Sequence, residues 1–129
     1  MRFGYTILYV SDVAASVALY ERAFGQKPRF VHESGDYAEL ETGATVLAFA
    51  SHELAESNLG EAFRRGSGAR GETAFEVCFV TEDVAGSYDR AVRGGAGPVT
   101  PPHTTPWGQD VAYVRDVDGN LIELASPAG

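Results

Sequence analysis

The segment 5-YTILYVSDVAAS-16 returns 71 residues later, without a gap, as 76-EVCFVTEDVAGS-87. Asp12 falls on Asp83, Val13 on Val84, Ala14 on Ala85 and Ser16 on Ser87. Each copy alternates apolar positions as a strand does, then turns through an aspartate into helical spacing. In the first copy Asp12 or Ser11 is placed to cap a helix over 13-VAASVALYERAF-24, with Val13, Val17 and Tyr20 on one face. In the second, 84-VAGSYDRAVR-93 repeats the pattern with Val84, Tyr88 and Ala91 or Val92 before the Gly94-Gly95 stop.

Strand material follows each helix. The first half offers 27-KPRFVHES-34, 36-DYAELET-42 and 45-TVLAFAS-51, with Gly35 and Gly43 at the turns. The second offers a short strand at 97-GPVT-100, a Pro-rich loop 101-PPHTTP-106, then 109-QDVAYVRD-116 and 120-NLIELAS-126 around an Asp118-Gly119 hairpin turn. Both halves read β-α-β-β-β. Between them, 52-HELAESNLGEAFRRGSGARG-71 predicts a helix over its first part and a mobile Gly/Ser/Arg-rich loop at its end. The expected fold is α+β: two tandem βαβββ modules forming a cupped mixed sheet around a cavity, helices outside. Module one spans 1–51, a linker 52–72 and module two 73–129, together one domain by length.

Composition narrows the function classes. The chain has ten basic and eighteen acidic residues, a net charge of −8, which disfavours nucleic acid as a partner. That acidity serves solubility first and a cationic ligand second. No apolar run approaches the ~18 residues of a membrane span, and MRFGYTILYV lacks signal-peptide architecture, so a soluble, cytoplasmic protein without a membrane partner is expected. Cys78 is the single cysteine, which excludes an intrachain disulfide and a Cys-rich zinc site.

The stretches 10-VSDVAASVALYERAFG-25, 76-EVCFVTEDVAGSYDRAV-92 and above all 107-WGQDVAYVRDVDGNLIEL-124 resemble the vicinal oxygen chelate superfamily. That superfamily contains glyoxalase I, extradiol dioxygenases and the bleomycin- and mitomycin-binding resistance proteins. The resemblance covers nearly the whole chain and implies paired βαβββ modules. It also implies, in the enzymes, a divalent metal held by the first and last strand of each module. Matched residue by residue, those positions fall at Tyr5, Ala48, Glu76 and Glu123.

Strand alternation puts Glu76 with Ala74 and Cys78 on the concave face, opposite the apolar stripe Phe75, Val77 and Phe79. Glu123 likewise faces the concave side while Ile122 and Leu124 face the helices. Phe3, Tyr5, Ile7 and Tyr9 alternate along the concave face of the first strand, Tyr37, Glu39 and Tyr113 add to it from the third strands, and Trp107 sits at the rim. Phe3 and Tyr9 fit core packing equally well. His32, His52 and His103 show no metal-ligand spacing and read as surface residues, His103 being the best placed to touch a ligand from the Pro-rich loop. Cys78 reads as a packing residue.

Two glutamates, a phenol with a pKa near ~10 and an alanine make a poor site for zinc, nickel or iron. Aromatic walls with carboxylates suit a flat or cationic small molecule instead. The expectation is therefore a metal-independent binding protein without a cofactor, sequestering an aromatic or cationic antibiotic or secondary metabolite. Its site is drawn from Tyr5, Ile7, Tyr37, Glu39, Ala48, Glu76, His103, Trp107, Tyr113 and Glu123. Resemblance implies a homodimer. The alternative is a lyase, isomerase or dioxygenase with a divalent metal on Glu76 and Glu123.

Overall fold

The computed structural model describes residues 1–65 and 73–128 and divides into two compact units, Met1–Gly66 and Ser67–Gly129. In the first, strand β1 (Tyr5–Val10) leads into helix α1 (Val13–Phe24), then β2 (Pro28–Val31), β3 (Tyr37–Leu40), β4 (Val46–Ser51) and helix α2 (His52–Leu59), closed by a 3-10 turn at Gly60–Ala62. The second repeats the order as β5 (Val77–Val80), α3 (Val84–Arg93), β6 (Gly97–Thr104), β7 (Asp110–Arg115) and β8 (Leu121–Ala125). Each unit builds one mixed four-stranded sheet, ordered β1-β4-β3-β2 and β5-β8-β7-β6, with the first and last strands parallel and the rest antiparallel. The α+β reading and the two βαβββ modules are thus observed.

The aspartates of the repeat act as helix caps. Asp12 Oδ1 accepts the Ala15 N–H at 3.0 Å and Asp83 Oδ1 accepts the Gly86 N–H at 2.9 Å. Each satisfies a donor that the first helical turn leaves without a partner. Gly25 ends α1 at φ 68, a left-handed cap that a side chain would strain. On the covered face of the first sheet lie Leu8, Val10, Ala38, Leu40 and Phe49, all buried beneath α1, where Tyr20 meets Phe49 edge-on at a ring separation of 4.8 Å. In the second unit Ala112, Val114, Ile122 and Leu124 are the buried counterparts, with Val84 and Ala91 contributed by α3.

Several local expectations are revised. The Pro-rich stretch is strand: β6 runs through Pro101 and Pro102 to Thr104. As the edge of its sheet, with register shifts on both sides of Thr100, β6 tolerates residues that cannot donate to a ladder. His52 is 6% exposed, a buried residue of α2 whose ring lies 5.7 Å from that of Phe63. Phe75, expected under a helix, precedes β5 and is 56% exposed. Residues 52–65, read as linker, pack within the first unit, where Ala55 is buried and Phe63 meets Tyr9 at 5.2 Å. The Gly/Ser/Arg-rich loop read at the end of that linker falls mostly outside the described residues.

Candidate functional site

With one face of each sheet covered by helix, the other face carries the chemistry. In the first unit Ile7 pairs with Ala48, Tyr5 with Val46 and Tyr9 with Ala50, while Tyr37 and Glu39 lie opposite Ala50 and Ala48. Tyr5, Ile7, Tyr37, Glu39 and Ala48 therefore share one face, as alternation requires. Tyr5 is 52% exposed, and Ile7 and Tyr9 are exposed beside it. Ala48 is fully buried, so it forms the base of this face and offers no accessible surface to a ligand.

Glu39 does not stand free. Its Oε1 accepts from Arg29 Nε at 3.0 Å and its Oε2 accepts from the Tyr37 hydroxyl at 2.8 Å. Both oxygens of a largely buried carboxylate are satisfied, which removes the cost of desolvating it. Burial first, and then this hydrogen bond to Glu39, pushes the Tyr37 phenol up to about 12, so Tyr37 remains a donor. Arg29 reaches Glu39 because β2 is bulged: Pro28 pairs with Leu40 and Phe30 with Glu39, leaving Arg29 as the inserted residue. No signal in the sequence marks that bulge.

In the second unit Cys78 lies opposite Glu123, which lies opposite Tyr113, and Glu76 precedes Cys78 by two residues on the same side. Ile7–Ala48 and Cys78–Glu123 are thus the same pairing in the two halves, which confirms the 71-residue alignment of the first strands. Hydrogen bonding to Glu123 first, then burial and the charge of Glu123, pushes the Glu76 carboxyl up to about 7. A hydrogen bond between two carboxyl groups requires a proton between them.

Around this pair the other ionisable groups are held neutral. Desolvation by its surroundings, followed by the charges of Glu123 and Glu76, pushes the Cys78 thiol up to about 11, which disfavours a nucleophilic thiolate. The residue is nonetheless exposed on this face and is not the packing residue the sequence suggested, because nothing among the described residues of its unit covers that side of β5. Burial and then the Glu123 charge raise the Tyr113 phenol as well. His103 sits on β6 opposite Val111, exposed, its Nδ1 3.1 Å from the Pro101 carbonyl oxygen. Trp107 occupies the β6–β7 turn, 74% exposed, with Nε1 donating to Gln109 Oε1 at 3.0 Å. Among the described residues, no group of three or more His, Cys, Asp or Glu side chains is arranged to hold a metal ion.

The sequence reading missed Arg29 and the aromatic cluster of Tyr9, Phe63 and His52. Spacing from the caps and turns could not have found either, since one depends on a bulge and the other on a chain reversal after α2.

Comparison with known proteins agrees with this architecture. Residues 2–124 match the model of the Glyoxalase/Bleomycin resistance protein/Dioxygenase superfamily. The uncharacterized protein YraH of Bacillus subtilis is 30% identical over 118 residues, 91% of each chain. A glyoxalase-related enzyme from Fulvimarina pelagi superposes with a TM-score of 0.85 at 22% identity, over 98% of this chain and 88% of that one. TioX from Micromonospora sp. ML1 superposes with a TM-score of 0.73 at 25% identity over 98% of both chains. The chain belongs to the glyoxalase/bleomycin resistance protein/dioxygenase superfamily.

Proposed function

We propose that this protein is a metal-independent binding protein for a small aromatic molecule, an antibiotic or other secondary metabolite held by sequestration. One observation carries the reading: each unit leaves one sheet face uncovered by helix, lined by Tyr5, Tyr9 and Tyr37 in the first and by Tyr113 in the second, beside carboxyl groups that interact with neighbouring side chains. Flat rings stack on such phenols, and polar groups of a ligand enter the existing hydrogen-bond pairs. The Glu76–Glu123 pair, with Tyr113 beside it, supplies the polar anchor; an ammonium group takes the place of its shared proton.

The donor set at the superfamily's metal positions supports the same reading. Ala48 has no ligand atom, Tyr5 is a phenol, and Glu76 is pushed toward its neutral form by Glu123. Such a set does not fit a tightly held transition metal, which takes imidazole, thiolate or several carboxylates.

Trp107 serves as the stacking platform in this proposal. Because it is exposed and its ring is held by a single local hydrogen bond, its removal leaves the core intact. Trp107→Ala is expected to weaken binding of a flat probe such as acridine by about tenfold, the worth of one aromatic contact, while the urea midpoint stays unchanged. Unchanged affinity places stacking elsewhere and removes Trp107 from the site.

A further inference from the structure

Carboxylates on an open face suit a cationic ligand, yet Glu39 is already neutralised by Arg29. What the first unit presents in its place is a guanidinium. Arg29 uses Nε for Glu39, and among the described residues its two terminal nitrogens make no hydrogen bond. Its side chain is about one-third exposed, at 36%. Glu39 is in turn fixed by Tyr37 through its second oxygen, so the guanidinium is oriented by a chain of two hydrogen bonds before any ligand arrives. The terminal edge of a guanidinium is a planar fork that matches the two oxygens of a carboxylate. Aromatic surface adjoins it: Phe30 lies opposite Glu39 in the ladder, and its ring sits 6.4 Å from that of Tyr37. Phe30 is 46% exposed.

We propose that Arg29 is a specificity-determining residue of the first unit's open face, taking a carboxylate or comparable planar oxyanion on a flat aromatic ligand; this rests on the small-molecule reading above. The bulge at Arg29 is then functional. It inserts one residue into an edge strand and so turns a cation onto a face that regular alternation would have left to Pro28 and Phe30. A purely structural partner for Glu39 would need neither the free fork nor the exposure. Orientation by Glu39 also lowers the side-chain entropy lost when the anion binds.

The test uses the full chain and two probes of equal ring size, 2-naphthoate and 2-naphthalenemethanol, followed by NMR at the Arg29 Nε–H and the backbone amides of β1 to β4. Naphthoate is expected to bind about tenfold tighter than the alcohol, as a charge-assisted bidentate contact would give. Arg29→Met removes that advantage, so that the two probes bind with equal affinity. The double variant R29M/E39Q behaves in the same way, which separates loss of the fork from the stranding of Glu39. Arg29→Lys, a point charge without a fork, falls between the two. If both probes bind equally and R29M changes neither, the anion site is wrong while the small-molecule reading stands. If neither probe perturbs these signals, both fall together.

Discussion

At the scale of single residues the internal repeat works as a built-in control. Thr81 and Ser87 bridge hydroxyl to hydroxyl at 2.7 Å, whereas the corresponding pair in the first unit is Val10 and Ser16. Ser16 Oγ is consequently buried without a partner. Because an unsatisfied buried hydroxyl costs about 1–3 kcal/mol, Ser16→Ala should raise the urea midpoint, and Ser87→Ala should lower it. The carboxyl pair gives a second prediction. Interaction with Glu123 and burial push the Glu76 carboxyl up to about 7 from the ordinary 4.5, so the folded state holds its proton through a range where the unfolded chain has released it. Stability from this site is therefore present at low pH and lost as pH rises between those two values. Solvent exposure of Glu76 moderates the size of the effect, but not its sign. Denaturation at pH 5 and pH 8 should show the decline in the wild type and a flatter profile in Glu76→Gln. A steeper decline in the variant would contradict the shared proton.

At the scale of elements, the helix caps carry a prediction that again uses the repeat. A Cβ added at Gly86 would lie 2.3 Å from Asp83 Oδ2, a clash with the capping side chain itself. Ala15, the same position in α1, coexists with an intact Asp12 cap, so the carboxylate has a rotamer that clears a methyl group. Gly86→Ala should therefore stabilise α3 by up to about 1 kcal/mol through helix propensity. Asp83→Ala should cost about 1 kcal/mol, both read from urea midpoints. Elements were also where the sequence was most legible. Helices α1 and α3 were expected at the residues where they occur, because an aspartate cap, a 3.6-residue period and a closing glycine agree there. Strands β1, β4, β7 and β8 were legible from alternation and from Asp118-Gly119. The β6 strand was hidden by its prolines, and Arg29 by a bulge with no local marker. Glu39 and Tyr37 were correctly placed on one face, yet their hydrogen bonds depend on Arg29 arriving from a neighbouring strand. Pairwise chemistry across strands is set by register, which a single segment does not encode.

At the scale of the molecule, family membership and two βαβββ units are established, and no helix among the described residues is long and apolar enough to cross a membrane. Phe3, Tyr5, Ile7 and Tyr9 form an exposed apolar stripe along β1 and the residues before it. Stripes of this kind mark ligand or subunit contacts, and the proposed homodimer predicts twice the monomer mass in sedimentation equilibrium, which a monomer at high concentration would contradict. The central claim concerns chemistry: the open faces bind an aromatic molecule without a metal. It is tested most directly by titrating chelator-treated protein with 2-naphthalenemethanol and following backbone amides by NMR. The account predicts saturable shifts in β1, β4, β5 and β8 that do not change when magnesium, manganese or zinc is added. Shifts that appear only after a divalent ion is restored would contradict it and assign Glu76 and Glu123 to a metal.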